Sequence, residues 1–171
     1  MTAPLIVLVG PMGVGKSTVG ALLAERLRCA YRDTDDVIVA SEGRSVADIF
    51  VEEGEARFRA LEKDAVATAL AEHHGVPALG GGAVLDAGTR RLLAAHTAVV
   101  HLSMGVEVAV GRAGLAAARP LLAGDPLERW QELAKARAPL YAEVARVVVA
   151  TDGRAPEEVA DAVLDALEPR R

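Results

Sequence analysis

The stretch Gly10-Pro11-Met12-Gly13-Val14-Gly15-Lys16-Ser17-Thr18 constrains this chain more than any other feature. It satisfies G-x-x-x-x-G-K-[ST] at each fixed position. The apolar run at residues 5–9 before it reads as a buried strand, and residues 19–26 after it as a helix. Glycines let the backbone curl so that successive N–H groups face an anion, and the helix N-terminus behind them adds roughly half a positive charge. Gly13, Val14, Gly15, Lys16, Ser17 and Thr18 are therefore candidates to bind nucleotide phosphates. Lys16 is placed to reach the outer phosphates and the Ser17 hydroxyl to ligate Mg²⁺. A plain strand-to-helix turn would need neither the Lys-Ser pair nor this spacing.

The length of 171 residues suits one domain with a sizeable core. Aromatics are only 3%, so that core is aliphatic. The net charge of −5 comes without a basic block, which argues against a general nucleic-acid binder. A lone cysteine, Cys29, excludes an internal disulfide and a multi-cysteine zinc site. No apolar run approaches the roughly 20 residues of a membrane span. The N-terminus also lacks the basic start and apolar stretch of a signal peptide, so a soluble, cytoplasmic protein is expected.

Short apolar runs alternate with longer helical patterns, the pattern of an α/β fold with a parallel sheet. Strands are expected at residues 5–9, 30–34, 76–79, 98–102 and 147–150. Helices are expected from Ser45, as an N-cap, and over 55–73, 86–95, 106–111, 126–141 and 156–167, with Pro156 in the first turn of the last. Phe58, Leu61, Ala65, Val66 and Ala69 form one stripe of the long helix at 55–73. No repeat or linker divides the chain. Residues 113–125 are small-residue-rich and poorly periodic, as expected of a mobile lid and equally of a static surface loop.

Asp33-Thr34-Asp35 falls at the C-terminal end of the second strand, on the edge where open α/β sheets collect ligands. One carboxylate there can hold Mg²⁺ through its waters, and a second, two residues on, can accept a hydrogen bond from a substrate hydroxyl. A strand-end turn with a helix N-cap is the competing reading, which the phosphate loop outweighs. Asp36 reads as the simpler cap or solvent-facing acid. Gly80-Gly81-Gly82 ends the third strand at the same edge and offers a donor-rich backbone or an ordinary tight turn. Arg59 either binds a ligand or pairs with Glu55 four residues earlier. Arg137 lies near a helix end, Arg119 in the 113–125 stretch and Arg112 just before it. With only three lysines in the sequence, anion binding falls on arginine, whose fork suits carboxylate and phosphate. The four histidines show no metal spacing, and His73-His74 reads as a solvated pair near a helix end. Trp130 reads as helix packing.

On these residues the chain resembles shikimate kinase over nearly its whole length. The markers are G-P-M-G-V-G-K-S-T, D-T-D, G-R-S-V-A-D-I-F, G-E-A-R-F-R-A-L-E, G-G-G-A-V, R-P-L-L and R-A-P-L-Y, in the family's order. The resemblance implies transfer of the γ-phosphoryl of ATP, with Mg²⁺, to the 3-hydroxyl of shikimate on the route to aromatic amino acids. It also implies a phosphate-loop kinase fold: a three-layer sandwich with a five-stranded parallel sheet, a lid at about 113–125 and a substrate-binding region at about 35–62. By the same resemblance Lys16, Asp35 and Arg119 are catalytic, and Ser17 and Asp33 serve the metal. Asp35, Arg59, Gly81, Gly82 and Arg137 bind the substrate, the two arginines on its carboxylate. Arg112, Arg119, Arg154 and Pro156 join the nucleotide-binding set. Phe50 and Phe58 either line the substrate pocket or belong to the core. A monomer acting on a small molecule is expected.

The lid departs from related chains in reading Gly114-Leu115-Ala116-Ala117-Ala118 before Arg119. Two other readings stay open here: a gluconate- or nucleotide-type kinase on the same fold, and a switch or silent nucleotide-binding module. Paired Arg59 and Arg137 favour a compact carboxylated polyol over a nucleotide. A guanine switch would carry N-K-x-D, and the sequence contains no asparagine.

Overall fold

The computed structural model describes residues 4–105, 108 and 126–168. The expected helix at 106–111, the lid at 113–125, and Arg112 and Arg119 fall outside the described residues, Val108 apart. The elements run β1 (Val7–Val9), α1 (Lys16–Leu27), β2 (Ala30–Asp33), α2 (Thr34–Glu42), α3 (Val46–Glu53), α4 (Glu55–Glu72) and β3 (Gly75–Ala78). A 3₁₀ turn (Ala83–Leu85), α5 (Ala87–Ala94), β4 (Val99–Ser103), α6 (Pro126–Val144), β5 (Val147–Ala150) and α7 (Pro156–Leu167) complete them.

The strands form one five-stranded sheet in the order β2-β3-β1-β4-β5, and each neighbouring pair is parallel. The side-chain period of two explains the layering. Ile6 and Leu8 pack with Val19, Leu23 and Ala24 of α1 and Val159 and Val163 of α7 on one face. Val7 and Val9 pack with Val66 of α4, Leu93 of α5 and Tyr141 and Val144 of α6 on the other. Both faces of β1 are thus covered, which is why its sequence is continuously apolar. Ile38, Ile49 and Phe58 form a third, smaller cluster that ties α2 and α3 to α4. α6 crosses between layers: Trp130 belongs to the first core and Tyr141 to the second.

Helix starts follow side-chain caps where the sequence offers them. Ser45 Oγ accepts from the Asp48 amide at 3.0 Å, and an Asp86 carboxylate oxygen accepts from the Thr89 amide at 2.8 Å. α2 is an addition to the sequence reading. Its buried side is only Thr34 and Ile38, too short a stripe to stand out, and Val37 to Val39 are β-branched. Its N-cap is Asp33, whose Oδ1 accepts from the amides of Asp35 (2.8 Å) and Asp36 (3.3 Å). Asp36 is therefore a first-turn, solvent-facing acid and not the cap. His73 corrects the expectation of a solvated pair. Its ring is buried with Nε2 3.3 Å from the Ala30 carbonyl, while His74 is exposed.

Candidate active site

The phosphate loop leaves β1 at the centre of the sheet and enters α1 directly at Lys16. Gly13 and Gly15 sit at φ 78° and 101°, a left-handed region that side chains with a Cβ rarely adopt, so the curl depends on them. Val14 between them buries its side chain in the first core, leaving its backbone to line the loop. The first turn of α1 holds no acid, which keeps the helix N-terminus favourable to an anion. Lys16 Nζ donates to the carbonyls of Gly10 (2.7 Å) and Pro11 (3.0 Å), so the ammonium is held over its own loop. Thr18 is exposed at the start of α1. Trp130 Nε1 donates to the Met12 carbonyl at 3.0 Å, so a residue read as packing also ties α6 to the loop.

Ser17 Oγ donates to Asp33 Oδ2 at 3.2 Å. The same carboxylate thus caps α2 with one oxygen and faces the phosphate loop with the other. The Tyr31 hydroxyl also reaches Asp33 Oδ2, at 3.4 Å, and burial pushes its phenol up to about 12. Ser17 and Asp33 together offer hard oxygen donors of the kind Mg²⁺ takes. Among the described residues, no group of three or more His, Cys, Asp and Glu is arranged to hold a metal ion. A cation at this position would therefore draw the rest of its ligands from phosphates and water.

A cavity of about 560 Å³ continues from Ser17 and Asp33 past Asp35 to Arg59, Glu62, Gly80, Gly81, Gly82 and Arg137. Asp35 comes from α2, Arg59 and Glu62 from α4, Arg137 from α6, and the glycines from the loop after β3. Phe50 and Phe58 line it, their ring centroids 5.0 Å apart, and Phe58 also belongs to the third core. The two readings of these rings are therefore compatible. A Cβ on Gly80 would lie 2.9 Å from Asp35 Oδ1 and 2.7 Å from Glu62 Oε2, so this backbone runs tightly between two acids. Thr34 is fully buried and its Oγ1 accepts from the Gly80 amide at 3.3 Å, fixing the start of α2 to the glycine run. A Cβ on Gly82 would collide with the Arg59 guanidinium.

The Glu55 pair expected of Arg59 is present, at 3.4 Å, and the same side chain lines the cavity. Its shorter ion pair is with Glu62, at 2.7 Å. Glu62 is only 3% exposed, and burial raises its carboxyl pKa against the lowering pull of Arg59 and Arg137. It escaped the sequence reading although it sits on the inward stripe of α4, one turn from Phe58 and from Val66. An acid at a core position was the signal. Arg137 is 4% exposed; burial lowers its pKa and the Arg59 charge lowers it further. Two guanidinium groups close enough to repel, with a buried carboxylate beside them, make a place where a second carboxylate is welcome.

Arg154 and Pro156 lie on the opposite side of the phosphate loop, after β5. Arg154 is exposed and its amide donates to the Thr151 carbonyl at 3.3 Å; Pro156 opens α7. Asp152 accepts from the Gly105 amide at 3.0 Å through both oxygens, docking this turn against the end of β4. A larger groove, about 1270 Å³, lies at the N-terminal edge of the sheet. Its His96 is committed to structure, with Nε2 3.0 Å from the Pro4 carbonyl and Nδ1 accepting from the Ala98 amide.

The shikimate kinase family model matches residues 12–168. The chain is 73% identical over 168 residues to a shikimate kinase from Streptomyces avermitilis, covering 98% of both. It is 69% identical to one from Streptomyces coelicolor, again over 98% of both. Among solved structures it is similar to the shikimate kinase from Acinetobacter baumannii in complex with shikimate. There the TM-score is 0.90 at 37% identity, with 96% of this chain and 92% of that one covered. With a parallel sheet, a phosphate loop and an arginine-lined cavity beside it, these matches show that the chain belongs to the shikimate kinase family.

Proposed function

We propose that this chain transfers the γ-phosphoryl group of ATP to the 3-hydroxyl of shikimate, giving shikimate 3-phosphate and ADP. The observation that carries the reading is the single continuous cavity, lined at one end by Ser17 and Asp33 and at the other by Arg59 and Arg137. It offers one space in which a phosphate donor and a carboxylated acceptor can meet.

Phosphoryl transfer asks mainly for alignment and charge neutralisation. On this reading the amides of residues 13–18 cradle the phosphates, and Lys16 exchanges a loop carbonyl for a phosphate oxygen. Ser17 would hold Mg²⁺ directly and Asp33 through water; the ion supplies charge neutralisation at the phosphates. Arg59 and Arg137 grip the acceptor carboxylate, with the backbone of Gly81 and Gly82 beside them. Asp35 accepts the hydrogen bond of the 3-hydroxyl and takes its proton as the oxygen attacks phosphorus and the bond to ADP breaks. Arg112, Arg119, Arg154 and Pro156 complete the nucleotide side, with Arg119 assigned to the transferring group. The 35–62 region and the lid then serve one domain.

The reading extends to a cytoplasmic monomer acting on small molecules, and the net charge of −5 supports it against a polyanionic partner. Among the described residues no helix is long and apolar enough to cross a membrane. The test is ADP formation from Mg-ATP with and without shikimate, with the product followed by ³¹P NMR. A phosphomonoester coupled to the ring proton at C3 is expected. ADP formed equally without acceptor, or phosphate on another hydroxyl, would contradict the proposal.

A further inference from the structure

The motif R-A-P-L-Y ends in Tyr141, a residue the proposed chemistry does not use. Tyr141 is 2% exposed and lies one turn beyond Arg137 on α6. Its hydroxyl donates to the Gly81 carbonyl at 2.6 Å and lies beside the Arg137 guanidinium, whose charge lowers the phenol pKa against the effect of burial. The Tyr141 ring stacks on His101 of β4, with centroids 4.8 Å apart and planes 29° apart. Stacked and buried, the ring has little freedom to turn the hydroxyl elsewhere.

A carbonyl can only accept, so the Tyr141 proton points at Gly81, and the hydroxyl keeps its lone pairs for the neighbouring guanidinium, which can only donate. The described residues include no cis peptide, so fixing the Gly81 carbonyl also fixes the Gly82 N–H in the opposite direction. Burial pushes the phenol up to about 12, so the donor keeps its proton across the working pH range. The guanidinium in turn lies against the glycine run: a Cβ on Gly81 would be 3.5 Å from Arg137 Nη1.

We propose that Tyr141 is the positioning residue of the acceptor site, its hydroxyl locking the Gly81–Gly82 peptide and the Arg137 guanidinium into the arrangement that grips the acceptor carboxylate. The proposal rests on the shikimate reading above and assigns Tyr141 no contact with substrate. Removing the hydroxyl leaves the Gly81 carbonyl free to turn and Arg137 free to change rotamer, while the phosphate loop keeps its own contacts.

The experiment is steady-state kinetics of wild type, Y141F, R137A and the double variant, with shikimate and ATP varied separately. Y141F is expected to raise KM for shikimate about ten-fold, the weight of one hydrogen bond to a charged group. KM for ATP should stay within about two-fold, since the phosphate loop keeps its own hydrogen bonds. In the R137A background the Tyr141 effect should shrink, because the residue acts through that guanidinium. A merely structural role would lower the melting temperature and the active fraction without moving the shikimate KM apart from the ATP KM. A folded Y141F with unchanged shikimate KM overturns the proposal. If Y141F does not fold, Y141M fills the volume without the hydroxyl and must give the same split. A wild type without shikimate-dependent turnover would instead defeat the functional reading itself.

Discussion

Between Gly10 and Thr18 the phosphate loop offers backbone amides and one ammonium, whereas the cavity beside it, proposed to take the acceptor, borrows side chains from α2, α4 and α6 and backbone from the glycine run. The first is contiguous and its charge comes from geometry: two left-handed glycines, a helix start and Lys16 held on loop carbonyls. The second is assembled over more than a hundred residues of chain, and its charges are balanced against one another. Arg59 is held by Glu62, Arg137 sits beside Tyr141, and Gly80 threads between Asp35 and Glu62. Damage to the first half should therefore abolish turnover outright. Damage to the arginine side of the second should move one Michaelis constant by degrees.

The sharpest break is Lys16→Met. It should lower kcat by about a thousand-fold or more, as expected when a charge on the transferring phosphoryl is lost, while the protein stays folded by circular dichroism. Retained turnover would remove the phosphate role of Lys16. Next comes Arg137→Ala, which should cost about 2–4 kcal/mol of acceptor binding and raise the shikimate KM accordingly, leaving that for ATP nearly unchanged. Equal movement of both constants would erase the division between the halves. Glu62→Gln should be milder: Arg59 loses its charged partner but keeps a polar one, so a several-fold rise in shikimate KM is expected, about 1 kcal/mol. An unchanged constant would mean that Glu55 alone suffices to hold Arg59.

The smallest effect is on stability. Burial, first, and the nearby Arg32 charge lower the pKa of His73; burial and then Lys16 lower that of His101. The unfolded chain therefore binds these protons while the folded chain still refuses them. Stability should be fully present above the ordinary histidine value of 6.5 and fall as pH drops from there through the folded values. Melting curves between pH 7.5 and about 5 should show this decline, and H73Q should reduce it by about 2 °C. An identical acid-side slope in H73Q would show that the buried ring does not carry it.

Legibility followed the same division. The phosphate loop could be read because its chemistry is local, and the five strands because residues buried on both faces give continuous apolar runs. The strand at 147–150 was placed to the residue, while β1 proved shorter than its apolar run. The acceptor site is different. Arg59 with Glu55 looks like an ordinary surface pair in sequence, and only folding brings Gly82 and Arg137 around it. Motif order supplied most of those residues through resemblance, not through local physics. Glu62 is legible as an acid on the inward stripe of α4, three residues from Arg59, whereas Tyr141 and the Trp130 bond to Met12 depend on contacts between distant elements, which no periodicity encodes. Asp33 shows the limit well, since either of its two roles alone would explain an acid at that position.

On the proposed function, Arg59 and Arg137 select a compact carboxylated ring for a phosphate loop that is itself indifferent to the acceptor. The most direct measurement is kcat/KM for the wild-type chain with Mg-ATP and, in turn, shikimate, quinate and gluconate. Shikimate should be preferred over gluconate by about a hundred-fold or more, because buried polar groups left unpaired penalise the wrong acceptor. Comparable turnover on gluconate, or none that depends on shikimate, would contradict it.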